Sequence, residues 1–223
     1  MKSIIKISVF GVLLAAVFPA EAAHSAEFRG VVKRPPVKAG SSQRTERYRA
    51  TGAASTSERT ADCACQPSLY SVIWLTGETL PPIKLPSEPP VMAQKDKMFT
   101  PSVMAVAVGT TVSFPNFDPF FHNVFSYSKP KKFDLGRYAQ GKSAEVKFDK
   151  PGIVNLFCEI HYSMKAYIHV LATPYFAVSD EKGNFKIPDV APGRYTLHLW
   201  QENQPEITRE IEIDQEPLVL ELQ

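Results

Sequence analysis

The chain has 223 residues, of which 44% are hydrophobic and 22% are charged. These proportions are ordinary for a globular protein and exclude disorder of the whole chain. A formal net charge of only +2 argues against nucleic acid as a partner. Nineteen prolines, together with many phenylalanines, tyrosines and valines, favour strands and loops over helices.

The N-terminus has the pattern of a secretory signal. Lys2 and Lys6 precede an apolar run over residues 7–18, and Ala20-Glu21-Ala22 fits the small-x-small pattern before a cleavage point. The run is shorter than the roughly 20 residues that an ordinary membrane span requires. We therefore expect a signal peptide over residues 1–22, a periplasmic or secreted protein, and no transmembrane segment after cleavage. The alternative is an uncleaved N-terminal anchor.

Residues 23–89 form an N-terminal segment with few predicted strands. Residues 28–33 and 71–75 have the composition of strands, whereas residues 34–68 are rich in Pro, Ser, Thr, Ala and Arg and lack strand or helix periodicity. The latter are expected to form a flexible loop. Residues 80–90 contain five prolines and are predicted to be a linker or an edge segment.

Residues 90–172 are predicted to form one β-sandwich domain. Apolar and polar residues alternate over 112–114 and 144–148, and residues 103–108 and 166–171 are further strand-like runs. Gly109 and the sequence Asp149-Lys150-Pro151-Gly152 mark turns between them. This succession of short strands and turns is typical of a sandwich or barrel.

A metal-binding pattern lies between two strand-like runs, residues 153–158 and residues 166–171. Cys158, His161 and Met164 have the spacing C-x2-H-x2-M, and His122 lies thirty-six residues upstream on a predicted strand. One thiolate, two imidazoles and one thioether are the ligand set of a type 1, or blue, copper centre. The pattern therefore predicts one mononuclear copper held by these four residues.

Two other cysteines, Cys63 and Cys65, lie in the loop predicted over residues 34–68. An odd total of three cysteines leaves at least one thiol without an internal partner. Cys63 and Cys65 could form a small-ring disulfide, pair between chains or bind Cu(I) as soft ligands, and oxidation is the preferred interpretation. Metal ligation would keep Cys158 reduced in an oxidising compartment.

Residues 91–172 resemble the plastocyanin/amicyanin family of cupredoxins, whose domain is a Greek-key β-sandwich. The resemblance implies that His122 is the N-terminal ligand, that the other three ligands come from the last loop, and that Asn123 links the two ligand segments. Ile160 stands where the family often has Pro, which leaves the axial distance of Met164 less defined. The matching residues are Phe99, Pro101, Gly109, Val112, Asn116, Asp118, His122, Asn123, Cys158, His161 and Met164.

Residues 173–223 contain further strand-like runs and resemble part of a carboxypeptidase regulatory-like, or transthyretin-like, β module. The resemblance depends on Tyr175-Phe176-Ala177-Val178, Asp180, Gly183 and the sequence Pro192-Gly193-x-Tyr195-x-Leu197. Each half alone has too few strands to enclose a core. We therefore expect the N-terminal strands and this module to build one small sandwich around the cupredoxin domain, giving an all-β protein. Otherwise the module is independent and the N-terminal segment is an extension.

The expected function is outer-sphere electron transfer with a redox protein. A copper carrier or sensor, or an interaction module with a vestigial copper site, is the alternative. The sequence contains no His-x-His pair, G-x-S-x-G or H-E-x-x-H motif. We therefore do not expect an enzyme.

Overall fold

A computed structural model describes residues 25–33, 69–214 and 218–222. The regular structure in these ranges consists of β-strands alone. The predicted signal peptide over residues 1–22 lies outside them, as does the predicted loop over 34–68 with Cys63 and Cys65. Within the described part of the chain, no helix is long and apolar enough to cross a membrane.

Strands are numbered here in chain order. The described ranges contain β1 Ala26–Val32, β2 Ser71–Thr76, β3 Ala93–Lys95, β4 Met98–Thr100, β5 Val103–Ala107, β6 Thr111–Ser113, β7 His122–Ser126, β8 Phe133–Tyr138, β9 Glu145–Lys147, β10 Gly152–Phe157, β11 Lys165–Leu171, β12 Phe176–Val178, β13 Asn184–Val190, β14 Gly193–Gln201, β15 Ile207–Ile213 and β16 Leu218–Leu222.

The strands β3 to β11 form a first sandwich over residues 91–171, called here the site sandwich. One sheet has the order β5-β11-β10-β7-β8. The pairs β3–β4 and β6–β9 lie on the other side, and the bridges Val91–Ser113 and Gln94–Asn116 join them. Inward-facing side chains of both layers form one buried core, including Met92, Phe114, Phe148, Leu156 and Ile168.

The remaining strands form a second sandwich, called here the companion sandwich. Its sheets have the orders β13-β1-β16 and β12-β2-β14-β15. The strand β1 is antiparallel to β13 and parallel to β16, and β2 lies between β12 and β14. The two N-terminal strands are thus internal members of sheets completed by the C-terminal strands. The predicted all-β class, with a second sandwich that is discontinuous around the first, is confirmed.

The strand β11 connects the two cores because both of its faces are buried. Ala166, Ile168 and Val170 belong to the core of the site sandwich. Tyr167 and Leu171 point the other way and pack with Val103, Val72 and Trp200 in a separate cluster. The side of the five-stranded sheet formed by β5 and β11 therefore packs against the four-stranded sheet of the companion sandwich, and β11 is buried on both faces, as expected for a covered strand.

Candidate metal centre

The ends of two neighbouring strands bring the predicted ligands together. The strand β7 begins at His122, and β10 ends at Phe157, immediately before Cys158. The two strands are antiparallel, with Phe157 opposite Phe125, so the start of one lies beside the end of the other. Cys158 continues the inward alternation of Val154 and Leu156 and is buried. The period-2 pattern of β10 thus directs the thiol into the sandwich.

Three of the predicted ligands form a compact cluster. The Nδ1 atom of His122 lies 3.1 Å from Nδ1 of His161 and 3.8 Å from Sγ of Cys158. All three ligand atoms lie within 4.8 Å of one another. His122 is fully buried and Cys158 is a free, buried cysteine, whereas His161 is partly exposed. This group could hold a metal ion.

Met164 lies in the loop that follows, and its backbone N–H donates to the His161 carbonyl at 2.9 Å. This bond closes a tight turn between the last two predicted ligands. The Met164 side chain is 1% exposed and belongs to the same buried core as Cys158. The structure therefore places Met164 at the buried side of the ligand loop.

Asn123 connects the two ligand segments through its side-chain amide. Its Oδ1 atom accepts a hydrogen bond of 2.8 Å from the backbone N–H of Glu159, the residue after Cys158. Its Nδ2 atom donates to Asp134 Oδ1 at 3.2 Å on the neighbouring strand β8. Asn123 is 1% exposed, and its two contacts hold the segments in register.

Asp118 is a residue of the site to which the sequence assigned no role. Its Oδ2 atom lies 2.8 Å from Nε2 of His122, on the side of the ring away from Cys158 and His161. Burial acts to raise the pKa of Asp118, but hydrogen bonds from the backbone of Lys97, from His122 and from the backbone of Asp96 outweigh it, so the pKa is lowered. Asp118 is therefore a carboxylate at neutral pH. In the sequence, Asp118 was indicated only as one of the residues that match the cupredoxin family.

The surroundings of His161 favour the neutral form of its imidazole. Burial lowers its pKa first, and repulsion by His122, when that ring is protonated, and by Lys97 lowers it further, against an opposing effect of Asp118. A neutral imidazole keeps a lone pair for a metal. The ring also contacts Phe120, with the ring centroids 5.3 Å apart.

Two other histidines have the structural roles expected of sheet residues. His198 contacts Glu206 through Nδ1 at 2.8 Å and Thr76 through Nε2 at 2.9 Å, and it stacks on Trp74. His169 is buried between the two sandwiches, with its ring centroid 4.3 Å from that of Trp200 and no partner for Nε2. Burial lowers the pKa of His169 to about 4. Neither belongs to the metal cluster.

Parts of the chain are similar to solved copper proteins. A reduced amicyanin variant with tyrosine in place of a tryptophan is 18% identical, with a TM-score of 0.36, over 39% of this chain and 85% of that chain. A copper-containing nitrite reductase from Thermus scotoductus is 27% identical, with a TM-score of 0.36, over 48% of this chain and 25% of that chain. A purple cupredoxin from Nitrosopumilus maritimus is 25% identical, with a TM-score of 0.31, over 34% of this chain and 84% of that chain.

A family model described as polysaccharide lyase family 4, domain II, matches residues 160–217. This range starts one residue before His161 and runs through β11 to β15, so it includes strands of both sandwiches. It covers well under half of the chain. The resemblance of residues 173–223 to a carboxypeptidase regulatory-like module stays a prediction. No curated protein matches the sequence.

Proposed function

We propose that this chain is an exported copper protein that carries single electrons by outer-sphere transfer. The observation that carries the proposal is the convergence of two imidazole Nδ1 atoms and one buried thiol within 4.8 Å. With Met164 buried in the same core as Cys158, the donors fit copper, because two imidazoles, a thiolate and a weak thioether suit both of its common oxidation states. Copper bound there would supply reversible one-electron chemistry.

The chain's own contribution is to fix the donors. His122 and Cys158 lie at the ends of hydrogen-bonded neighbouring strands, and Asn123 ties them together. Donors held by a packed sheet change little when the charge at the site changes, which favours fast electron exchange. His161 is the partly exposed ligand, so we propose its ring edge as the point where electrons enter and leave.

The surface around His161 supports contact with a redox protein. Several apolar side chains adjacent in the chain to His122, Asp118 or His161 are exposed: Phe117 at 54%, Phe121 at 56%, Ile160 at 36% and Tyr162 at 92%. Exposed apolar groups of this kind mark interaction sites. We propose that a redox partner docks here through a small, transient interface.

Export is part of the proposal because it would place the protein in an oxidising compartment. It depends on the signal-like sequence of residues 1–22. The protein is proposed to act as a carrier of electrons and not as an enzyme.

The spectrum of the Cu(II)-loaded protein without residues 1–22 tests the ligand assignment. An intense visible thiolate-to-copper charge-transfer band is expected, and Cys158→Ser should abolish it. Met164→Leu is the matched change at the axial position and should keep the colour while raising the reduction potential, because a weak donor to Cu(II) is lost. An intact band in Cys158→Ser would show that the assignment is wrong.

The alternatives predict other outcomes. A copper carrier or sensor should release the metal readily to a chelator, whereas an electron carrier should retain it. A vestigial site should bind no copper at all. Either outcome in the unmodified protein would replace electron transfer as the function.

A further inference from the structure

We infer that Asp118 is a positioning residue that fixes the ring orientation and tautomer of His122 and thereby favours Cu(II) over Cu(I) at the site. This inference rests on the proposed function, since it concerns how that same site is tuned. Asp118 itself lies on the far side of the His122 ring and acts through it.

The hydrogen bonds around Asp118 show that both of its carboxylate oxygens are acceptors. Oδ1 accepts from the backbone N–H of Asp96 at 2.7 Å, and Oδ2 accepts from that of Lys97 at 2.9 Å. Oδ2 also lies 2.8 Å from Nε2 of His122. Backbone N–H groups can only donate, so both oxygens must be acceptors. In the neutral form of His122 the single ring proton is therefore on Nε2, and the lone pair on Nδ1 faces Cys158 and His161.

The carboxylate is itself held rigidly. Asp96 and Lys97 lie in the turn between β3 and β4, with φ values of 55° and 57° that aim both N–H groups at Asp118. The backbone N–H of Asp118 donates to Oδ1 of Asn116 at 2.9 Å. Asn116 in turn donates to the carbonyls of Phe120 at 2.8 Å and Tyr138 at 3.1 Å. Asp118 is 4% exposed, so this network connects the turn to the imidazole without water.

A carboxylate in this position changes the chemistry of the ring. A hydrogen bond from the outer N–H of a ligand imidazole to a carboxylate makes the other nitrogen a stronger donor. A stronger donor stabilises Cu(II) more than Cu(I). The carboxylate also adds negative charge beside the site, which acts in the same direction.

Replacing Asp118 by Asn keeps the shape but removes one acceptor. The new NH₂ group must face either His122 or one of the backbone donors, and two donors then oppose each other. Asp149→Asn is the matched control, because it removes the same charge from an exposed turn before β10, at the opposite end of that strand from Cys158.

The test compares the native protein, Asp118→Asn and Asp149→Asn, each titrated with Cu(II) and with Cu(I). Asp118→Asn should weaken Cu(II) binding about 10- to 100-fold, as expected for loss of an outer carboxylate partner. Its effect on Cu(I) binding should be smaller. For each factor of ten by which Cu(II) binding is weakened more than Cu(I) binding, the reduction potential should rise by about 59 mV. Asp149→Asn should match the native protein. Equal affinities and potentials in the two variants would overturn the inference.

A second measurement needs no variant and no bound metal. Nitrogen NMR of the copper-free native protein should show His122 protonated at Nε2, with a proton that exchanges slowly with water. Protonation at Nδ1 instead would overturn the inference even if Asp118→Asn fails to fold. Failure of the proposed function has a different signature, since the native protein would then lack the thiolate-to-copper band while the Nε2 proton could still be present.

Discussion

The site sandwich and the companion sandwich have the same kind of layered β architecture but bury different chemistry. At one end, the site sandwich buries the polar side chains of Gln94, Asn116, Asp118, His122 and Asn123. The companion core consists of apolar and aromatic residues such as Phe28, Ile73, Leu197 and Leu199. Among the described residues, the one group of three potential metal-ligating side chains lies in the site sandwich. A buried polar network fixes the positions of the side chains at a binding site, whereas an apolar core stabilises the fold without defining such a site.

The two sandwiches also differ in how the chain builds them. The site sandwich uses one continuous segment, residues 91–171, while the companion sandwich joins β1 and β2 to strands from the other end of the chain. The first can therefore complete its core alone, and the second cannot. The predictions below test this difference, starting with the largest expected effect.

Separate fragments should behave differently. Residues 90–173 should fold and bind copper, although Val103, Tyr167 and Leu171 would lose their partners across the interface. Residues 174–223 should show no cooperative unfolding transition, because β13 and β14 would lack β1 and β2. Circular dichroism during denaturant titration measures both. A cooperative transition of residues 174–223 would mean that the companion module is independent.

Phe28→Ala should destabilise the companion sandwich by about 3–5 kcal/mol, because a fully buried aromatic ring is replaced by a cavity. The Phe28 ring packs edge-to-face on Phe185, with centroids 5.4 Å apart. The copper spectrum should stay unchanged. Denaturant unfolding of the whole chain gives the free energy. A cost near zero would make β1 a peripheral extension.

Acid should weaken the interface between the sandwiches through His169. Its pKa in the folded protein, about 4, is below the ordinary value of 6.5 because of burial, so the unfolded chain binds the proton first. Stability contributed by neutral His169 is present above pH 6.5 and is lost as pH falls to 4, by about 3 kcal/mol in total.

The check is His169→Leu, which removes the titrating group while keeping an apolar side chain at the interface. Unfolding of the copper-free proteins at pH 7 and pH 4 should show a smaller loss in the variant than in the native protein. Equal losses would exclude His169 as a source of the acid sensitivity.

The smallest effect is expected from Cys63 and Cys65. Changing both to Ser should leave the copper spectrum and the copper stoichiometry unchanged, because Cys158 supplies the thiolate of the proposed site. Absorption and metal analysis of the double variant measure this. Loss of the band, or of a second equivalent of copper, would give these cysteines a metal-binding role.

Strands with strong local patterns were predictable from the sequence. The alternation in Val154-x-Leu156-x-Cys158 and the spacing to His161 and Met164 already indicated a ligand loop after a strand. The strand β8 was not predicted, because it lies at the sheet edge and its side chains are only partly buried or exposed. Edge strands carry a weaker apolar pattern than central ones.

Asp118 shows the limit of sequence patterns at the site itself. Its partners Asp96 and Lys97 belong to a hairpin of two three-residue strands, too short to give a periodic signal. The contact with His122 depends on where the sandwich places that hairpin. The two-sided burial of β11 was likewise hidden, because a continuous apolar run does not say which layers cover it.

The central claim is that the copper stays bound while its charge changes. The direct measurement is repeated reduction by a small donor and reoxidation at neutral pH, with protein-bound copper determined after each cycle. Donors fixed on packed strands should retain the metal, so we expect rapid, reversible colour changes at constant copper content. Loss of copper within the first few cycles, or its transfer to a copper-free acceptor, would contradict electron transfer and favour a copper carrier or sensor.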